Sequence, residues 1–537
     1  MTGLNASRWL PLAPLAAAAV GVVAAGPRAQ GLLANTALVA AGTLALALPI
    51  GVLLAVLIHK TRLPGRGGAS VALLAMIFVP LHLHAAAWRA GFGVLGWWTQ
   101  FGAAEGPTHV LLDGTAGAVW VHAMAATAWV TLIVGAALAA VDPRVEEDAL
   151  LMMPAWRVLG SVSFRWVAPA LLLAAGWVVV TVAHEMTVTD LFQVRTFAEE
   201  VYTQHALGLF DPAQLDDPAQ RLEAGQLGAG LLVVWCVAVA LLWAARPLAE
   251  GIAAGITRDA WRCPVRWRAG GAALLAGLVL LLAGLPVGNL ATKVGVYATR
   301  EGDAWRRDWS AAKAVERVAA APVEHRRQLW QSAKLGLGVA CGATLLGALV
   351  AWRLARGGFE QLAWLAFIAF LLTTPGPLIG IGAIWVFNQP RDSPLSFLSW
   401  LYDNTLLVAW AVQMTRAAPL VALVLWPVWR SLPTGLTDAA RLESGPLGAA
   451  WAAVRARRSA VTAAWMVALA VSCAELSATL LVLPPGPQTV TIELFNMLHS
   501  GVDDRVAAIS LWLVALFALL AWAISRCWTR DAARTGD

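Results

Sequence analysis

Charge is scarce in this chain of 537 residues: Asp, Glu, Lys and Arg together make up 13%, against about 25% in a soluble domain. Only four lysines occur, Lys60, Lys293, Lys313 and Lys334, preceded by His, Thr, Ala and Ala. A phosphate-cradling loop needs Gly-Lys-Ser/Thr, so no ATP site of the usual kind is present. The five cysteines, Cys236, Cys263, Cys341, Cys473 and Cys527, form no CxxC pair, which argues against a disulfide framework and a zinc site. Paired acids or metal ligands at one interface, which a membrane-embedded transferase would need, are missing too. The sequence therefore implies no catalytic residue, no bound metal and no cofactor of its own.

Apolar residues fill the space that charge leaves, at 59% with mean hydropathy +0.69. A hydrocarbon core about 30 Å thick needs roughly 20 apolar residues per helix, with every backbone polar group paired inside the segment. Twelve stretches qualify: residues 10–26, 32–58, 70–90, 115–141, 168–189, 227–245, 269–288, 329–352, 361–387, 404–427, 461–484 and 506–525. The fold class expected is all-α, a polytopic membrane protein in the lipid bilayer. The first stretch, after Arg8 and ending in Ala24-Ala25-Gly26, also has the flank and core of a signal peptide.

The net charge of +6 would suggest nucleic acid in a soluble protein, but here its distribution over the loops decides. The loops at 59–69, 142–167, 246–268, 353–360 and 428–460 carry more Lys and Arg than the loops of the other side, so they are expected inside, with both termini. The long outside loop 289–328 is an exception, rich in Lys and Arg, while the outside loop 190–226 is acidic.

A repeat runs through the chain. His184-Glu185-Met186-Thr187-Val188-Thr189 answers Ala474-Glu475-Leu476-Ser477-Ala478-Thr479, and Glu146-Glu147-Asp148-Ala149 answers Thr437-Asp438-Ala439-Ala440, both at an offset of about 290. Six spans per half is an even number, so the two six-helix repeats are expected to be parallel, related by an axis along the membrane normal. The first would cover 1–245 and the second 269–537, with 246–268 as a cytoplasmic linker.

An ionisable side chain inside a span costs on the order of 2.5–3.5 kcal/mol on insertion scales, so Glu185 and Glu475 need a reason. They, with Thr187 and Ser477, either line a translocation path or accept hydrogen bonds at a broken helix. Lys334 and Arg416 are candidate partners. His82 and His84 point to different sides of a helix and read as packing residues rather than ligands. Pro80, Pro375 and Pro377 imply kinked spans.

Asp438-Ala439-Ala440, with Ser444-Gly445 and Val454 following, resembles the loop signature of permease subunits of ATP-binding-cassette importers: Glu-Ala-Ala, three residues, Gly, nine residues, Ile-x-Leu-Pro. Ser444 stands where Gly is expected, and Ala456-Arg457 replaces Leu-Pro. In the first copy Glu147 and Ala149 match, while Asp148 and Met153 depart. The resemblance implies that loops 142–167 and 428–460 are coupling segments, with Glu146, Glu147, Ala149, Asp438, Ala439, Ala440, Ser444 and Gly445 as contacts to a separate ATPase homodimer that binds the ATP. It also implies a periplasmic solute-binding protein and a bacterial inner membrane. Ala474–Thr479, Pro484–Thr491 and Asp503–Ala508 look like the twelve-span permeases for ferric iron and thiamine, and Arg195–Gln204 favours the ferric iron type. A gradient-driven carrier of major-facilitator type is the alternative. That class resembles Gly-x-x-x-Asp-Arg-x-Gly-Arg in its second loop, whereas Lys60–Arg66 has no Asp.

Overall fold

The computed structural model describes residues 26–101, 110–206, 228–240, 261–263, 268–301, 304–390, 392–486, 488–501 and 503–534. The expected stretch 10–26 apart from Gly26, the ends of the expected stretch 227–245, most of the linker 246–268 and part of loop 190–226 lie outside them. The first half holds α1 Gly26–His59, α2 Arg66–Phe78, α3 Leu81–Phe92, α4 Gly114–Ala139, α5 Pro143–Leu150, α6 Ala155–His184, α7 Thr187–Leu191, α8 Phe197–Ala206 and α9 Gly228–Ala240. The second holds α10 Arg268–Gly295, the strands β1 Val296–Glu301 and β2 Ala304–Trp309, then α11 Ala311–Glu324, α12 Arg326–Arg356, α13 Phe359–Thr373 and α14 Gly376–Phe387. It continues through α15 Leu407–Arg430, α16 Thr434–Ala456, α17 Arg458–Ala474, α18 Thr479–Val482, α19 Val490–His499 and α20 Asp503–Arg534.

This is an all-α membrane protein. Among the described residues seven helices, α1, α4, α6, α10, α12, α15 and α20, are long and apolar enough to cross a bilayer, and α9 and α17 are shorter apolar helices. The expected third and ninth spans are not single kinked helices. Each is a pair, α2 with α3 and α13 with α14, bent by 106° and 99°. Proline supplies no N–H and drives the residue before it out of the helical region. Val79 (ψ 122°) and Thr374 (ψ 123°) are extended accordingly, so the chain turns a corner there.

Equivalent contacts hold each half together. Helix α1 packs most extensively on α4, and α12 on α15. A glycine allows each approach: a Cβ on Gly51 would lie 2.6 Å from Val130 of α4, and one on Gly347 would lie 2.6 Å from Val421 of α15. The hydroxyl of Thr36 on α1 accepts from the Phe197 N–H at the start of α8, at 3.1 Å. The Ser332 hydroxyl on α12 does the same for Val490 at the start of α19, at 2.9 Å.

The halves also clasp one another. Helix α20 of the second packs on α2 of the first, while Trp235 on α9 donates to the Ala366 carbonyl on α13 at 3.3 Å. The expected outside loop 289–328 is built rather than loose. After the hairpin β1–β2, α11 is held to the start of α20 by Lys313 to Asp504 at 3.1 Å and by the Trp512 indole donating to the Val318 carbonyl at 2.8 Å.

Candidate functional site

Each half contains two helix breaks, the proline corner and a second one at an acidic residue. Helix α6 ends at His184, and the next residue, Glu185, is extended (φ −90°, ψ 131°). Its carboxylate accepts from the backbone N–H groups of Thr187 at 2.7 Å and Val188 at 3.0 Å, and from the Thr187 hydroxyl. Helix α17 ends at Ala474, and Glu475 repeats the arrangement: it accepts from the N–H of Ala478 at 2.9 Å and of Thr479 at 3.1 Å, from the Ser477 hydroxyl at 3.3 Å and from the Thr479 hydroxyl. Each carboxylate thus satisfies N–H groups that a helix start leaves unpaired. A charge inside a span is tolerable when such donors surround it.

The surroundings differ between halves. His122 on α4 places Nε2 3.7 Å from Glu185. At the same offset on α15, Gln413 donates to the Thr479 hydroxyl at 2.8 Å and accepts from Ser472. Arg416, one turn on, bonds no carboxylate among the described residues. Its guanidinium donates to the carbonyls of Leu371 at 2.7 Å, Leu372 at 3.3 Å and Thr374, the groups freed where α13 stops at the proline corner. In the first half His84 meets the Met76 carbonyl at 3.1 Å instead. His82 is buried, and among the described residues its Nε2 has no partner. Lys334 is exposed, away from any role as carboxylate partner. Among the described residues no group of three His, Cys, Asp or Glu could hold a metal.

The corner fits closely against the carboxylate break. A Cβ on Gly376 would lie 2.0 Å from the Ser477 hydroxyl, so only glycine permits the two breaks to approach this closely. Arg416→Met would leave three carbonyls unpaired, those of Leu372 and Thr374 on buried residues and that of Leu371 on a half-buried one. Hydrogen bonds to charged groups contribute about 1.5–3 kcal/mol each, and a loss of at least about 2 kcal/mol is expected in detergent-solubilised thermal or denaturant unfolding. A midpoint equal to that of the parent chain would show that the arginine does not hold the corner.

The expected coupling residues divide sharply. Glu146 is fully buried: Lys60 Nζ lies 2.6 and 2.7 Å from its two oxygens, and Ser163 donates to it at 2.5 Å. Its side chain faces inward and joins the end of α1 to α5 and α6, which leaves it unavailable to a partner. Helical spacing explains the split, because adjacent residues on α5 face different sides. Glu147 and Asp148 are exposed and Ala149 is half-buried. In the second half Asp438, Ala439 and Ser444 are exposed and Ala440 half-buried, while Gly445 has φ 71° and ψ −167°, a corner inside α16 that its sequence neighbour Ser444 could adopt only with strain.

Large apolar residues also stand open on these segments and were missed by the sequence reading. Leu151 and Met152 are both 84% exposed, and Trp156 is 66% exposed. Their counterparts include Leu442 at 89% and Leu447 at 85%, followed by Trp451. Leu151 with Leu442, and Trp156 with Leu447, share the offset of Glu147 with Asp438. A signal existed in the sequence: large apolar residues interrupting polar, basic loops outside every span.

The tract Arg195–Gln204 forms a closed polar knot. Glu200 is 1% exposed and accepts from Arg28, from Gln204 and, at 3.5 Å, from Arg195. Glu199 accepts from the Thr203 hydroxyl at 2.9 Å, and burial pushes its carboxyl above the usual range, with that hydroxyl opposing. On the same face His499 of α19 meets Asp190 of α7 at 3.1 Å across the two halves.

No family model matches the chain. A candidate 2-aminoethylphosphonate transport system permease protein of Salmonella typhi is 26% identical over 204 residues, which cover 37% of this chain and 73% of that protein. Counterparts in Salmonella paratyphi A and Salmonella typhimurium show the same identity and coverage. The likeness supports the general role of a transport permease, a membrane subunit of a transport system.

Proposed function

We propose that this chain is the membrane subunit of an ATP-driven importer, with a separate ATPase homodimer on the side of α5 and α16 and a soluble binding protein on the opposite side. In this reading that side is the cytoplasm, and both termini lie there. One observation carries the proposal: two segments related by the repeat, each outside the spans, expose large apolar side chains beside acids and small residues. An aqueous surface gains nothing from Leu442 or Leu151 left open, whereas a docking contact does. The buried Lys60–Glu146 pair would make the first segment rigid enough to pass force to α1 and α6.

For cargo, a small anionic solute of the phosphonate class fits better than ferric iron. The Salmonella relatives are named for 2-aminoethylphosphonate. Both membrane carboxylates, which a hard cation would need, are occupied as helix caps. Glu200, which favoured iron in the sequence, is closed by two arginines.

The test is purification of the tagged chain from gently solubilised native membranes, with mass spectrometry of the proteins retained. A stoichiometric partner bearing a phosphate-binding loop is expected. Its ATPase activity in vesicles should then rise with the binding protein and 2-aminoethylphosphonate, and not with ferric iron. A chain that purifies alone and transports on an imposed proton or sodium gradient would overturn the ATP-driven reading.

A further inference from the structure

A groove of about 600 Å³ runs along the seam between the halves, where α2 meets α20, lined by Gly67, Gly68, Ala72, Ala518, Trp522 and Arg526. The small residues of α2 form its floor. A Cβ added at Gly67 or Gly68 would meet nothing within 4 Å, so the space in front of them is open. Trp522 is 49% exposed, and the Arg526 guanidinium lies over its ring at 5.5 Å, placing a cation at the groove.

Among the described residues, the end of the groove that carries α2's first turn is basic and unbalanced. Arg66 precedes Gly67, and the linker brings Arg262 to it, because the Cys263 N–H donates to the Lys60 carbonyl at 2.7 Å and a short bridge joins Thr61 to Cys263. Arg262, Arg66 and Arg62 lie within electrostatic range of one another. Among the described residues no carboxylate pairs with Arg62, Arg66, Arg262 or Arg526, and the Arg262 Nε is buried without a partner. The nearby acid, Glu146, is taken by Lys60. The corresponding turn of the second half is balanced, with Arg353 3.5 Å from Glu360. Segment 60–70 contains no acid at all. Mutually repelling guanidinium groups cost stability unless an anion sits among them.

We infer that this groove binds an anionic phospholipid, its acyl chains against Gly67, Gly68, Ala72 and Ala518 and its headgroup phosphate between Arg66, Arg62, Arg262 and Arg526. A basic recess between membrane helices, open to the bilayer at headgroup level, suits such a lipid, and guanidinium groups match phosphate oxygens in geometry. The site is independent of what the protein transports and of any ATPase.

Native mass spectrometry of the full-length chain, delipidated and titrated with phosphatidylglycerol or phosphatidylethanolamine, reads it directly. Wild type should retain one phosphatidylglycerol at about tenfold higher occupancy than phosphatidylethanolamine, a modest return for several cations at headgroup level. The variant R62Q/R66Q/R262Q should hold both lipids equally, and Gly68→Phe, which fills open space, should lose both. Inorganic phosphate at millimolar concentration should leave the bound phosphatidylglycerol in place. Equal retention of the two lipids by wild type, an unchanged preference in the triple variant, or displacement by free phosphate would each overturn the inference. If the triple variant does not fold, Arg526→Gln is read in the same way, and an unchanged preference there counts against the site.

Discussion

Lys60→Met is expected to cost the folded chain about 3–5 kcal/mol, because it leaves the Glu146 carboxylate buried and unpaired. Both side chains of the pair are 0% exposed, so water cannot replace the missing partner. Ser163 alone, donating one hydrogen bond at 2.5 Å, cannot balance a full charge. Glu146→Leu should be similarly costly, since it strands the lysine. The double variant Lys60→Met/Glu146→Leu should recover most of the loss, because replacing a buried pair by apolar groups of similar volume is often close to neutral. Denaturant unfolding of the four proteins in detergent closes the cycle. Costs that simply add, with no recovery in the double variant, would mean that the pair is not what joins α1 to α5.

The second large effect concerns transport rather than stability. Leu442→Asp, Leu447→Asp and Trp156→Asp should each leave folding within about 0.5 kcal/mol of the parent, as expected for exposed sites, yet reduce ATPase association by about 30-fold or more. That figure corresponds to loss of an interface anchor of about 2 kcal/mol. Asp438→Arg and Glu147→Arg should act in the same direction by reversing charge on the same surface. Co-purification and uptake assays are read together with the unfolding midpoint. Full uptake by Leu442→Asp and Trp156→Asp would remove α16 and the start of α6 as docking points, whereas loss of uptake with a lowered midpoint would point to misfolding. Glu146→Leu serves as a contrast, since it should lower stability before it touches association.

Much of this architecture was legible because a bilayer leaves few options. Stretches of about 20 apolar residues with almost no charge can only be membrane helices, and the all-α class follows from composition. Pro80 and Pro375 announced a disturbance in two spans, but not its size. A proline inside a helix usually kinks it, and the near-right-angle corners arise because Arg416 and His84 collect the carbonyls that the bend releases. Glu185 and Glu475 were visible as anomalies from their cost alone. Which N–H groups justify that cost depended on the chain doubling back within four residues.

The acidic loops show the boundary most clearly. Glu146 and Glu147 are neighbours of identical chemistry, and no pattern in the sequence says which one turns inward. The choice is made by Lys60, 86 positions away, once the end of α1 is brought against α5. In the same way Arg62, Arg66 and Arg262 are ordinary loop arginines until the linker pairs with Thr61 and sets them side by side. Sequence alone determined where the chain is apolar, where it must break and that its features recur at an offset of about 290, because burial cost and helix geometry act locally. Only the tertiary structure decided which polar groups find each other, because partners distant in sequence are brought together by helix packing.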